Sequence, residues 1–482
     1  MAEKSIKQQT LSGVKWTAVE QFSTQAITFV LGIIIARLLA PSDYGTIGVL
    51  TVFMALSQTF VDSGMGTALV RKPDLTETDC STVFYFNIVV SVLCYLILFI
   101  SAPLIASFFN LPILVDVVKV YCLTIVISAF EAVHVSRLTI QLNFRLLAKI
   151  NVISTIISGL VGVAFAYLGL GVWALVWQSV LSRLLHLILI WLLTRWYPKL
   201  IFSKKSFRDL FSFGGNLLAG GLLWQLYSNL IPIVIGKFFS ARDLGFYTRG
   251  TSLAQYPENT ILGIIEKVTF PILAKLQNDT ARLVIIYRKY IKVTSLAIMF
   301  AMLLFASLAK PIVLLLLTDK WESCIVYLQI FVFCVIFDHI QKLNLNLLKV
   351  TGYSGLILKL EVYKRITSIS LILVSIPFGV IGICISQVIY AQLALMFNTY
   401  STGKKFGLGY YQQVKDFIPY LFMSFISCAP AYLLTFCSIS YTVMIIIGSF
   451  FAVFLYWIML KYRHDQIYME FADSFYTKIL KK

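Results

Sequence analysis

Long apolar segments recur along the whole chain, and they constrain its fold more than anything else in the sequence. About fourteen stretches reach the roughly 20 apolar residues needed to cross a hydrocarbon core. They fall near 14–36, 46–66, 82–105, 117–136, 150–168, 171–193, 211–235, 246–266, 291–309, 322–340, 358–378, 380–399, 417–436 and 441–460. Lipid offers no partners for backbone N–H and C=O groups, and these runs are too long for barrel strands. The expectation is an all-α polytopic membrane protein. Only 13% of the residues are charged and 59% are hydrophobic, against about 25% charged in soluble chains. The polar start through Lys4, Lys7 and Lys15 lacks a cleavable signal pattern, so the first span is expected to stay in the protein.

The formal charge of +18 invites a nucleic-acid reading, but its placement argues otherwise. With the N-terminus in the cytoplasm, the inner loops carry 32 Lys and Arg and the outer connections 6, and the bias alternates loop by loop. That is the positive-inside pattern, so the excess charge reports topology: a multi-pass membrane protein expected to keep both termini in the cytoplasm. No nucleic acid is expected as a partner. The inner loops reach about twenty residues and hold no nucleotide motif; "STGKKFG" has the wrong glycine spacing for a phosphate loop. No cofactor is expected, and energy would come from H+, Na+ or the membrane potential. The eight cysteines show no CxxC and read as small packing residues.

Two stretches repeat. "IIIARLLAPSDYG" at 33–45 is answered by "IVIGKFFSARDLG" at 233–245, and upstream Gln25 is answered by Gln225. Six helices separate Gly45 from Gly245, so both emerge on one face, as in a parallel repeat of two six-helix lobes. The expected organisation is an N-terminal lobe at 1–200, a C-terminal lobe at 201–402, and a final helix hairpin with a cytoplasmic tail at 403–482. The cationic stretch "TRWYPKLIFSKKSFRDL" would link the lobes, with Trp191 and Trp196 in an interfacial belt.

A charged residue inside a span costs roughly 2.5–3.5 kcal/mol on insertion scales and is a functional candidate for that reason. The first span bears a polar stripe of Glu20, Gln21, Thr24, Gln25 and Thr28, and Lys15 is expected to point into a cleft beside Glu20 or else to snorkel to the inner surface. The seventh repeats part of it with Gln225, Ser228 and Asn229, ahead of Pro232, which should kink the helix. The eighth holds Arg249, Glu258, Asn259 and Glu266. It is expected to line a cleft, with Arg249 reaching solvent, or else to be re-entrant. Asp62, Glu131 and Arg183 are candidates for ion coupling or charge pairing. Asp62 and Asp338 also suit helix ends at the headgroups, Glu361 lies near a helix start, and His134, His186 and His339 read as structural or interfacial. No metal site or catalytic constellation is expected.

With "RLLAPSDYG", "FVDSGMGTALVRKPDLTETDCSTVFYFN" and "LNFRLLAKINVISTIISGLVGVAFAYLGLGVWALVWQ", the chain resembles the oligosaccharide flippase (polysaccharide transporter) family. Its Wzx-like branch exports colanic acid, teichuronic acid or lipopolysaccharide units. "IGKFFSARDLGFYTRG", "FPILAKLQND" and Trp321 extend the resemblance over roughly 11–330. It implies the MOP superfamily: two six-helix lobes in a V, a cationic cavity, a C-terminal helix pair, and transport of an undecaprenyl-pyrophosphate-linked oligosaccharide by alternating access. Lys15, Glu20, Gln21, Gln25, Arg249 and Glu258 stand where the resemblance puts the lateral opening. Implied partners are that lipid-linked oligosaccharide, membrane lipids, and the polymerase and glycosyltransferases of the same pathway. Two other readings stay open: a multidrug or cation antiporter of the same superfamily, and a membrane glycosyltransferase or polysaccharide ligase. The latter would need a catalytic group on a sizeable outer loop, and the outer connections are short.

Overall fold

The computed structural model describes residues 6–470 except 73, 278 and 466, and leaves aside the side chains of 6–14, 216, 259–261, 263–268, 270, 271 and 354. Expectations resting on Lys4, Lys7, Asn259 and Glu266 therefore lie outside the described residues. Every regular element among the described residues is helical. All fourteen expected apolar segments fall on helices. Among the described residues, ten helical segments are long and apolar enough to cross a membrane, or up to 11 if one bent pair, Leu217–Ser228 with Leu230–Phe238, counts as a span. The chain divides into two compact units, Met1–Gly245 and Phe246–Lys482.

The first unit contains α1 (Ile6–Leu38), α2 (Pro41–Asp62), α3 (Met65–Arg71), α4 (Glu77–Phe109), α5 (Leu114–Tyr121), α6 (Leu123–Ile140), α7 (Phe144–Tyr167), α8 (Val172–Thr194), α9 (Lys204–Ser228) and α10 (Leu230–Phe238). It also holds the first turn of α11 (Ala241–Lys275). Local chemistry sets the breaks. α2 stops where Ser63 and Gly64 take positive φ values of 43° and 66°, a left-handed cap that ends a helix. α4 starts on a capping box in which Thr76 Oγ1 accepts from Asp79 N at 3.2 Å and Asp79 Oδ2 accepts from Thr76 N at 3.0 Å. The α9–α10 junction bends by 41° at Asn229, three residues before Pro232. Proline lacks the N–H that would bond the carbonyl four residues back, so the expected kink appears one turn upstream of the ring.

α1 packs on α7, α7 on α8, and α6 on both α4 and α8. Phe84 anchors a buried cluster with Met65, Leu69, Val83, Val133 and Trp196, its ring edge-on to Phe130 and Trp196. The stretch after α8 is pinned to the start of α4: Trp196 Nε1 donates to Glu77 Oε2 at 2.6 Å and Ser203 N to Thr82 Oγ1 at 3.1 Å. α9 packs on α2, α3 and α4, and α10 on α2. The first compact unit consequently runs through Gly245, past the 200/201 boundary suggested by the repeat.

The repeated motifs meet inside this unit. Asp43 Oδ2 accepts from Ala40 N at 3.0 Å, and Asp243 Oδ2 accepts from Ser240 N at 3.3 Å, so each aspartate closes the first turn of its helix. Two residues on, the helices touch main chain to main chain. A Cβ on Gly45 would overlap the carbonyl oxygen of Ala241, and one on Gly245 would overlap that of Pro41. Small residues permit such approach between membrane helices.

The second unit continues α11 and adds α12 (Thr280–Ser307), α13 (Ala309–Leu317), α14 (Cys324–Val335), α15 (Asp338–Val350), α16 (Ser354–Ser375), α17 (Gly379–Phe406), α18 (Tyr410–Leu434) and α19 (Tyr441–Tyr462). α18 packs on α12 and α19, and α17 on α14 and α16. Fully buried Trp321 sits edge-on to Phe246. A closed amide network ties four helices: Gln413 Nε2 donates to Asn344 Oδ1 (3.0 Å), Asn344 Nδ2 to Gln413 Oε1 (2.9 Å), Thr402 Oγ1 to Asn344 Oδ1 (2.8 Å) and Tyr287 OH to Gln413 Oε1 (3.3 Å). The hairpin α18–α19 is clasped to α12 by Arg288, whose Nε and Nη2 donate to Asp416 at 2.7 and 2.8 Å. Six of the eight cysteines are buried as packing residues.

Candidate functional site

The first unit encloses a polar site among helices whose outer faces are apolar. α8 carries Arg183 and His186 three residues apart, on one face, and α6 presents Glu131 opposite them. Glu131 is 4% exposed. Its Oε1 accepts from Arg183 Nη1 at 3.1 Å, and its Oε2 lies 2.5 Å from His186 Nδ1. At the end of α2, Gln58 Nε2 donates to Asp62 Oδ1 at 3.1 Å, and Ser128 Oγ of α6 donates to Gln58 Oε1 at 2.9 Å.

Two cavities of about 360 and 530 Å³ adjoin this network, and both are lined by Gln58 and Arg183. The first also takes in Asp62, Asn87 and Glu131; the second is walled by Thr28, Tyr121, Thr155, Gln178, Ser179 and Ser182. Glu131 is covered, whereas the Arg183 side chain is 51% exposed. A guanidinium has five N–H donors. Beyond its Nη1 contact to Glu131, the same half-exposed side chain lines both cavities, where such donors suit an oxyanion. The surrounding hydroxyls and amides both donate and accept, as hydroxyl-rich ligands require. Among the described residues, no group of three His, Cys, Asp or Glu side chains could hold a metal ion.

The structure thus joins three of the residues singled out by sequence: Asp62, Glu131 and Arg183. It adds His186, read from the sequence as structural or interfacial, which shares the buried carboxylate. The spacing of Ser179, Ser182, Arg183 and His186 along α8 was the available signal, a polar stripe at helical period hidden in "WQSVLSRLLH". His134 and His339 do sit in packed surroundings, bonded to Thr194 (2.7 Å) and Ser295 (2.9 Å).

The remaining candidates are elsewhere. Lys15 and Gln21 are exposed on α1, and Gln25 is half-buried. The Glu20 carboxylate accepts from Asn151 Nδ2 and fastens α1 to α7. Gln225 serves the α9–α10 break, its carbonyl accepting from Asn229 Nδ2 at 2.9 Å. Arg249 was expected to reach solvent and is instead 9% exposed. At its neighbour Gly250 a Cβ would come within 2.9 Å of the Cys324 carbonyl oxygen, so α11 lies tight against the start of α14 there. Glu258 shares a hydrogen bond with Asp338 of α15, with Lys342 and Lys364 adding positive charge around the pair.

Residues 34–326 match the model of a family described as polysaccharide biosynthesis protein. Over 363 residues the chain is 27% identical to the teichuronic acid biosynthesis protein TuaB of Bacillus subtilis (strain 168), with 73% of each chain covered. It is 25% identical over 338 residues to the lipopolysaccharide biosynthesis protein WzxC of Escherichia coli (strain K12), covering 69% of this chain and 68% of that one. Among solved structures, the lipid II flippase MurJ in an inward closed conformation has the same fold, with a TM-score of 0.74 at 14% identity over 93% of this chain and 99% of that one.

Proposed function

Because the chain belongs to the polysaccharide biosynthesis protein family, whose model it matches over residues 34–326, we propose that it is a flippase for a polyprenyl-pyrophosphate-linked oligosaccharide. It carries the unit from the inner to the outer leaflet of a bacterial inner membrane during assembly of a surface polysaccharide. It is a transporter rather than an enzyme. Relatives named for teichuronic acid and lipopolysaccharide biosynthesis support the reading, and so does a fold shared with a lipid II flippase.

The observation that carries the proposal is the hydroxyl- and amide-walled cavity presenting the half-exposed guanidinium of Arg183. A diphosphate-sugar head cannot cross hydrocarbon unaided, while its prenyl tail is at home there. A polar chamber inside a greasy bundle resolves that conflict without covalent chemistry. In this reading Arg183 meets the oxyanion and the hydroxyl-bearing walls meet the sugar. Asp62 and Glu131 couple movement to H+, Na+ or the membrane potential. Fourteen spans, two six-helix halves with a C-terminal pair, cytoplasmic termini and alternating access complete the scheme. The pathway's polymerase and glycosyltransferases act after and before it.

The test is complementation of a strain lacking the protein. Wild type restores surface glycan, whereas Arg183→Ala, present at normal membrane level, leaves lipid-linked oligosaccharide facing the cytoplasm. Full glycan export by Arg183→Ala would remove the arginine's role. A deletion that spares surface glycan but sensitises cells to cationic drugs would replace the flippase by an antiporter.

A further inference from the structure

The second unit holds a groove of about 1300 Å³ between the ends of α16, α17 and α18, separate from the polar site and unused by the proposed transport. It is larger than the roughly 300–1,000 Å³ typical of small-ligand sites. Leu356, Lys359, Leu360 and Tyr363 follow one face of α16, and Met396, Tyr400 and Lys404 one face of α17. The walls are mostly hydrocarbon and aromatic ring, with Ser401 and Gln412 among them, and among the described residues the only charged ones lining the groove are the two lysines. Tyr363 is 61% exposed and Tyr400 73%. Lys359 and Lys404 make no ion pair recorded among the described residues. Their neighbours Lys364 and Arg365 are held by Glu361, each at 3.1 Å, and Lys405 lies over the Tyr353 ring at 4.6 Å. The alternating charge of the loops puts this end of α16 and α17 on the cytoplasmic side.

The geometry points to a binding site for an anionic glycerophospholipid of the inner leaflet, its phosphate between Lys359 and Lys404 and an acyl chain along the groove. Charge complementarity selects that occupant. A zwitterionic lipid would bring an ammonium to two unpaired cations, whereas phosphatidylglycerol brings a net negative charge that both lysines attract. Basic pockets between helices on the cytoplasmic side hold anionic headgroups by this principle, and tyrosines suit the headgroup level. The site goes beyond the flippase reading and stands or falls without it.

Native mass spectrometry of the full-length protein in mixed micelles of dioleoylphosphatidylglycerol and dioleoylphosphatidylcholine tests it. Wild type should retain phosphatidylglycerol in preference to phosphatidylcholine. With each lysine near the surface contributing as in polybasic segments, retention should fall about fivefold for Lys359→Gln or Lys404→Gln and about 30-fold for both. Lys359→Arg with Lys404→Arg should keep the preference, and Lys405→Gln should leave it unchanged. Equal retention of the two lipids by wild type would overturn the proposal, as would undiminished preference in the double glutamine variant. An equal loss in Lys405→Gln would do so as well, by reducing the effect to general charge. Displacement of phosphatidylglycerol by equimolar undecaprenyl phosphate would give the groove to the carrier lipid instead and overturn the assignment.

Discussion

Gly45→Ala offers the sharpest physical test of the packing. The added methyl would overlap the Ala241 carbonyl oxygen and stand 2.6 Å from the carbonyl carbon. Overpacking a well-filled interior costs about 1–3 kcal/mol when side chains can turn aside. Here the obstacle is main chain, which moves only with its helix, so a loss near the upper end, about 3 kcal/mol, is expected. Gly245→Ala meets the Pro41 carbonyl in the same way and should cost as much. The two sites touch, a Cβ on Gly245 lying 3.2 Å from Gly45 N. Moving the helices apart for one methyl makes room for the other. The double variant should therefore lose about 3–4 kcal/mol rather than the sum of about 6, as coupled neighbours do. Gly220→Ala is the internal control: nothing lies within 4 Å of its Cβ, and removing a helical glycine should gain about 0.5–1 kcal/mol. Apparent melting of the detergent-solubilised protein, followed by size-exclusion fluorescence, ranks the four variants. If Gly45→Ala melts with Gly220→Ala, or the double penalty is simply additive, the backbone contact is not as described.

Three other perturbations probe the remaining interactions. A double-mutant cycle on Glu20→Ala and Asn151→Ala should give a coupling of about 1 kcal/mol, the scale of hydrogen bonds between membrane helices; zero coupling in the melting data would remove this bond from the α1–α7 contact. Arg288→Ala leaves the Asp416 carboxylate, 3% exposed, with only Lys292 at 3.7 Å. Stranding a buried charge costs about 3–5 kcal/mol, but Arg288 is 44% exposed, so about 2 kcal/mol is expected after solvent screening, and Asp416→Asn in the same chain should recover most of it. Arg183→Lys keeps the charge but gives up the planar fork. Glycan export should fall about tenfold with little change in melting, and wild-type export would show that charge alone suffices.

The spans were legible because burying an unpaired backbone in lipid is so unfavourable that twenty apolar residues leave little choice but helix. What escaped the sequence was set by tertiary neighbours. Arg249 looked solvent-bound because a charge in a span should seek water, yet it is buried on α11, where the adjacent Gly250 seats that helix against α14. Composition could not show that contact, since it depends on which helix lies opposite. That His186 would meet Glu131 was hidden for the same reason, as Glu131 lies 55 residues away on another helix. Pro232 announced a bend correctly, although the chain turns at Asn229. The repeat was read as two motifs sharing a side of the membrane. Nothing in their letters said that Gly45 and Gly245 would touch.

A bearing built from peptide bonds has no spare rotamers with which to creep. Where α2 and α11 rest carbonyl against glycine, a small slide meets hard atoms at once, and no methyl can swing away to soften it. Such a seat favours discrete settings over gradual drift, because close-packed surfaces are bistable and do not deform continuously. Any rearrangement at this spot must lift one ridge clear of its neighbour before it can settle again.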